Sequence, residues 1–115
     1  MHETISWTRH TDYAAAKGGV HMLMRTFAPE LAPVGIRANA IAPGAVRKAI
    51  NRVAGASEAA RADLWRLIPA GRIGEAHEIA QAAVRLASDA SDHVTGATLV
   101  VDGGMTIYPT FHGHG

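Results

Sequence analysis

There is no cysteine in the sequence, which excludes disulfides, thiolate catalysis and cysteine-ligated zinc. There is no long run of basic residues either. The net charge is +1 with the histidines neutral, so nothing points to a nucleic-acid partner. No apolar run approaches the ~18 residues that a membrane span requires, and no membrane partner is expected. The opening residues, MHETISWTRH, lack the continuous apolar stretch of a secretory signal, so the cytoplasm is the expected compartment. Internal repeats and low-complexity linkers are also missing. What remains, at 115 residues and 48% hydrophobic, is the composition of one small soluble globular domain.

Residues 1–10 carry no hydrophobic period and read as a loop. Helical patterning begins at Thr11 or Asp12, either of which can cap a helix, and runs to about Leu31. Its Ala, Leu and Met suit a helix buried over much of its surface. Gly18 and Gly19 each cost about 1 kcal/mol relative to Ala there, which would be explained by another backbone coming close. Pro29 predicts a kinked or shortened last turn. Pro33, Val34 and Gly35 make a turn. IRANAIA, residues 36–42, reads as a strand with small and branched apolar residues on both faces, the pattern of a strand covered on both sides. PGAVRK follows as a loop, and a short helix begins around Ile50. SEAARADLWRLIP reads as a helix with Ser57 as N-cap and Pro69 after its end. From Ala76 to about Ala87 the helical signal is clearest, with Ala76, Ile79, Ala80, Ala83, Val84 and Ala87 on one stripe. ATLVV, residues 97–101, is a second buried strand.

The order is helix, strand, helices, strand, tail. A strand, a helical crossover and another strand make a βαβ unit with parallel strands. Two strands fall short of a sheet of ordinary size. The expected fold is therefore α/β, the edge of a larger doubly wound parallel sheet.

DYAAAKGG, residues 12–19, carries a tyrosine and a lysine one helical turn apart, Tyr13 and Lys17. A tyrosine in water has a pKa of about 10 and is a poor base at neutral pH. Lowering that by about three units takes roughly 4 kcal/mol, which a cation about 4 Å away supplies at an effective dielectric near 20. Such a pair can move a proton to or from an alcohol or carbonyl oxygen. The bland alternative is two residues on a helix surface, since a Tyr four before a Lys arises by chance in about one chain in five of this length. Pro43-Gly44 is by itself an ordinary turn. Here, however, it ends a buried strand of a βαβ unit, and ligands of doubly wound sheets bind outside the carboxyl ends of the strands.

Together these segments resemble the C-terminal half of a short-chain dehydrogenase/reductase, over essentially all 115 residues. YAAAKGG is similar to that family's Tyr-x-x-x-Lys segment, and GIRANAIAPGAV to the strand and loop after it. RIGEAHEIAQAAVRLASD is similar to the later helix, and VTGATLVVDGG to the last strand. Within the family, HETISW and GGMTIYPTFHGHG look most like the glucose 1-dehydrogenase type. The resemblance implies a partial Rossmann fold over residues 1–115 and hydride transfer between NAD or NADP and a small-molecule substrate, a sugar, secondary alcohol or ketone. It implies Tyr13 as general acid/base, and Lys17 as the residue that favours the phenolate and binds the nicotinamide ribose. Pro43, Gly44 and Val46 would line the nicotinamide pocket, and His2 would lie near the substrate. It also implies a homotetramer, with the tail packed against neighbouring subunits.

The chain departs from the family at several points. No G-x-x-x-G-x-G phosphate turn occurs. The family's serine stands about a dozen residues before the tyrosine, and Ser6 is too close to fill that place. The family's asparagine on the preceding helix is missing, and Lys48 stands where a threonine is usual. The expectation is a fragment of an oxidoreductase that does not turn over alone. The alternative is an inactive remnant acting as an oligomerisation or binding subunit through its exposed edge.

For the remaining residues the structural reading is the commoner one. His112 and His114 could share a cation but more often such residues are solvated, and no metal site is expected. Asn39 is expected to make a structural hydrogen bond. Arg37 and Arg72 could meet phosphate, though single arginines usually face solvent. Trp65 is either part of a lid or a packing residue. Asp102-Gly103-Gly104 is expected to shape the end of the last strand, with positive φ at a glycine.

Overall fold

The computed structural model describes residues 11–47 and 65–107. Helix α1, Thr11–Leu31, is followed by a 3-10 turn, Ala32–Val34, and strand β1, Ala40–Pro43. Helix α2, Ala76–Ala87, a second 3-10 turn, Asp89–Ser91, and strand β2, Thr98–Val101, complete the order. The loop at 1–10, the helix near Ile50, most of the 57–69 helix and the tail lie outside the described residues.

β1 and β2 pair in parallel, Ala40 against Thr98 through Pro43 against Val101. Helix α2 crosses between them and packs on both, which makes the expected βαβ unit. The strand after α1 is shorter and later than 36–42. Polar contacts replace the ladder before Ala40: Ala38 N–H donates to Thr95 Oγ1 at 3.1 Å, and Gly96 N–H donates to the Ala38 carbonyl at 2.7 Å. Pro43, with no N–H to offer, closes the strand rather than interrupting it. Among the described residues β2 is not fully covered on either face, with Leu99 38% exposed and Val100 42%. The buried apolar residues among those described are Met24, Ala28, Ala42 and Ile68.

Thr11 and Asp12 both fall inside α1, where the Asp12 carboxylate suits the positive end of the helix. The helix runs two residues past Pro29 before tightening into the 3-10 turn, so the proline neither ends nor visibly shortens it. A Schellman arrangement then stops the chain: Gly35, at φ 77°, donates to the Ala32 carbonyl at 3.0 Å, and Ile36 donates to Leu31 at 3.2 Å. The less exposed stripe of α1 is Ala14, Gly18, His21, Met24, Ala28 and Leu31. Beyond it Val20, Leu23 and Phe27 stand exposed. Among the described residues no close backbone explains Gly18 or Gly19, since a Cβ at either meets none of their atoms within 4 Å.

Arg37 does not face solvent. Its guanidinium donates to the carbonyls of Leu86 at 2.8 Å, Ser88 at 3.2 Å and Val94 at 3.3 Å, and to Ser91 Oγ at 3.1 Å. It thereby satisfies carbonyls at and beyond the C-terminus of α2, where a cation is also favoured by the helix dipole. Asn39 makes its expected structural bonds, donating to the Val94 carbonyl at 2.8 Å and accepting from Ala97 N–H at 3.1 Å.

Helix α2 has the expected bounds but a different inner face. Ile79, Ala82 and Leu86 turn inward with Glu78, whereas Val84 is 69% exposed and Ala80, Ala83 and Ala87 are also exposed. Apolar residues surround most of this helix, so their period defines a helix without choosing between two faces; the larger Ile79 and Leu86 take the sheet side.

Candidate functional site at the carboxyl ends of the strands

The end of β1 is pressed against the end of β2. Gly44 N–H donates to the Val101 carbonyl at 3.0 Å. A Cβ on Gly44 would lie 2.6 Å from Asp102 Cβ and 2.7 Å from its Cα, so only glycine allows this approach. The Asp102 carboxylate in turn knots the chain after β2, accepting from Gly104 N–H at 2.8 Å and Thr106 N–H at 2.7 Å. Burial pushes this carboxyl up, but hydrogen bonds from Thr106 and Gly104 outweigh it and leave Asp102 below its ordinary range. Gly103 and Gly104 have φ of 65° and 89°, as the turn requires.

From Gly44 the backbone runs alongside the segment that leads into α2. Val46 pairs with Gly74 in an isolated parallel bridge. Gly74 N–H donates to the Ala45 carbonyl at 2.9 Å, and Arg47 N–H donates to the Gly74 carbonyl at 2.8 Å. Side chains reinforce the contact. Arg47 Nε lies 3.1 Å from Glu75 Oε1. Glu75 and Glu78 form a reciprocal capping box at the start of α2. Arg72, far from meeting phosphate, grips Glu78 with both arms, at 2.9 and 2.6 Å. The Arg72 guanidinium, followed by the Glu75 backbone N–H, holds the Glu78 carboxyl down from its ordinary 4.5 to about 2. None of this bracing was read from the sequence, although Glu75 followed three residues later by Glu78 at a helix start was a signal for it.

Tyr13 and Lys17 lie at the same end of the sheet. A Cβ on Gly96, just before β2, would touch Ala28 of α1, and His21 Nδ1 lies 3.3 Å from Thr98 Oγ1. Moving back along α1 thus moves forward along β2, so the two run antiparallel. From His21 to Tyr13 the helix advances about 12 Å, and from Thr98 to Val101 the strand advances about 10 Å. Tyr13 is 44% exposed, and Lys17 Nζ stands over its ring, 5.4 Å from the centroid, within cation–π range. Pro43 is exposed, and Gly44 and Val46 are half-buried at the strand ends. A cleft of about 170 Å³ behind them is lined by Ala45, Gly74, Glu78, Val101 and Asp102, among others. It is smaller than the roughly 300 Å³ at which small-molecule sites begin. Trp65, helical together with Arg66, is 47% exposed. His2, Lys48, His112 and His114 lie outside the described residues. Among the described residues no group of three or more His, Asp or Glu could hold a metal ion, and no helix is long and apolar enough to cross a membrane.

This geometry has close counterparts. A family profile described as Enoyl-(Acyl carrier protein) reductase matches residues 1–106. The chain is 54% identical over 111 residues to 3beta-hydroxysteroid dehydrogenase 1 of Eggerthella lenta, covering 96% of this chain and 42% of that protein. It is 42% identical over 110 residues to glucose 1-dehydrogenase 2 of Bacillus subtilis, again with 96% and 42% covered. The crystal structure of a gluconate 5-dehydrogenase from Burkholderia cenocepacia in complex with NADP and tartrate superposes with a TM-score of 0.83 at 40% identity, covering 93% of this chain and 42% of that one. The chain therefore spans about 42% of the length of these two curated relatives.

Proposed function

The chain belongs to the short-chain dehydrogenase/reductase family, and from that premise we propose that it is part of an NAD(P)-dependent oxidoreductase acting on a sugar, secondary alcohol or ketone. The observation that carries the reading is the Tyr13–Lys17 pair, with Lys17 Nζ 5.4 Å from the Tyr13 ring centroid, on a helix that runs along β2 toward its carboxyl end. The coverage of about 42% supports a longer parent, in which the segment ahead of these residues supplies the phosphate-binding turn and the serine. The exposed Val20, Leu23 and Phe27 of α1 support a homo-oligomeric parent, a tetramer by family resemblance.

The residues present fit the nicotinamide end of the cofactor. Gly44 keeps the β1 terminus flat against Asp102, where a side chain would intrude, and Lys17 and Tyr13 offer an ammonium and a hydroxyl suited to ribose hydroxyls. NAD or NADP, when bound, supplies the acceptor or donor of hydride. Tyr13 takes the hydroxyl proton as an alcohol becomes a ketone, and returns it in the reverse direction. Lys17 stabilises the phenolate and holds the ribose. Pro43, Gly44 and Val46 form the wall that orients the nicotinamide.

The substrate class follows the relatives in part. The glucose 1-dehydrogenase relatives, at 41% and 42% identity, support a sugar. The hydroxysteroid dehydrogenase, at 54%, supports a ring-borne secondary alcohol. The test is to assay the intact protein with NAD and NADP against glucose, gluconate and a 3β-hydroxysteroid. Reduction of either cofactor by at least one of them, lost in Tyr13→Phe, is the expected result. No turnover, together with no cofactor binding, would instead favour the inactive binding subunit.

A further inference from the structure

The loop after β1 leaves the strand end with Pro43 and Arg47 exposed and Gly44, Ala45 and Val46 partly buried. Its shape is set by the bridge to Gly74, whose two hydrogen bonds span Ala45 to Arg47. Gly74 lies in a short segment, residues 72–75, which the Glu75 side chain pins to Arg47 and the Glu78 carboxylate grips on both flanks. Glu78 Oε2 accepts from Glu75 N–H at 2.7 Å and from Arg72 Nη1 at 2.9 Å, and its Oε1 accepts from Arg72 Nη2 at 2.6 Å. Both flanks of Gly74 are therefore fastened to the first turn of α2 by a single carboxylate. A Cβ on Gly74 would lie 3.5 Å from the Ala45 carbonyl oxygen and 3.7 Å from Glu78 Oε2, so the loop and the carboxylate both border this glycine.

We propose that Glu78 is a positioning residue for the cofactor-facing loop, acting through Arg72, the Glu75 amide and Gly74 to fix where Gly44 and Val46 stand. The inference rests on the assignment of that loop to the nicotinamide. Glu78 touches no reacting atom. Its effect is to keep the wall in one register, so that binding does not carry the cost of ordering the loop. Its loss therefore weakens cofactor binding more than it slows the chemical step.

The experiment compares the intact protein with Glu78→Gln, with Arg72→Gln as a second variant and the exposed, remote Glu30→Gln as control. Amide hydrogen exchange is followed at Gly74 and Arg47, and KM for NAD(P) and kcat are measured separately. Expected are faster exchange at both amides in Glu78→Gln, a cofactor KM raised about fivefold, equivalent to about 1 kcal/mol, and kcat within about twofold of wild type. Arg72→Gln falls between, because the Glu75 amide contact survives. Unchanged exchange at Gly74 and Arg47 overturns the inference whatever the kinetics. Faster exchange with an unmoved KM overturns the link to the cofactor. A wild-type protein that binds neither NAD nor NADP, while Glu78 still controls the loop, marks failure of the functional reading instead.

Discussion

Replacing Gly44 with alanine tests the close approach of the two strand ends. The new Cβ would lie 2.6 Å from Asp102 Cβ and 2.7 Å from its Cα, about 1 Å inside ordinary carbon–carbon contact. A backbone atom and a Cβ cannot be moved aside by a rotamer change, so the strands themselves must part. Parting them by about 1 Å breaks the hydrogen bond from Gly44 to Val101, worth about 1 kcal/mol, in addition to an overpacking cost of about 1–3 kcal/mol. Gly44 is not among the glycines with positive φ, so the cost is steric and not conformational. At about 2–4 °C per kcal/mol, the scale for domains larger than about 150 residues, a loss of about 2–4 kcal/mol corresponds to a fall in Tm of about 4–16 °C. Thermal unfolding of Gly44→Ala measures it, and calorimetric titration with NAD(P) should show weakened binding. Gly18→Ala is the control: open space surrounds that position, and removing a glycine from a helix interior should add up to about 1 kcal/mol. A Gly44→Ala protein with wild-type Tm would refute the reasoning.

Two further outcomes are expected. Arg37→Met leaves the Leu86, Ser88 and Val94 carbonyls without their shared donor; it should destabilise the protein by about 2–3 kcal/mol by denaturant unfolding, with KM for the substrate unchanged because the residue sits at the opposite end of the sheet. Acid should also destabilise the protein through Glu78 and Asp102, whose carboxyls are held below their ordinary values. A lowered folded pKa gives stability that is present above the unfolded value of about 4.5 for Glu78 and lost as the pH falls toward about 2. Tm measured from pH 7 to pH 2.5 should fall across that window, and less steeply in Glu78→Gln.

The sequence signalled α1, α2 and the parallel crossover clearly, because long periodic segments and a glycine stop are local properties. It misplaced the start of β1, where Ala38 and Asn39 look like strand residues but make polar bonds to Thr95, Gly96, Val94 and Ala97. These partners are more than 50 positions away, and no local pattern announces them. The inner face of α2 was also misread, because alanines ring the helix and only its packing distinguishes Leu86 from Val84. At the site, Tyr13, Lys17, Pro43 and Gly44 stood out because their spacing and their place after a strand carry chemistry. Arg37 and Arg72 did not, because a guanidinium's role depends on the acceptors that folding brings to it: carbonyls in one case, the Glu78 carboxylate in the other.

The most direct test of the account is turnover by the intact protein with NAD or NADP and a secondary alcohol, wild type beside Tyr13→Phe. The account predicts reduced nicotinamide from the wild type and a rate about 10²–10⁴-fold lower in the variant. A Tyr13→Phe protein that turns over as fast as wild type would contradict it.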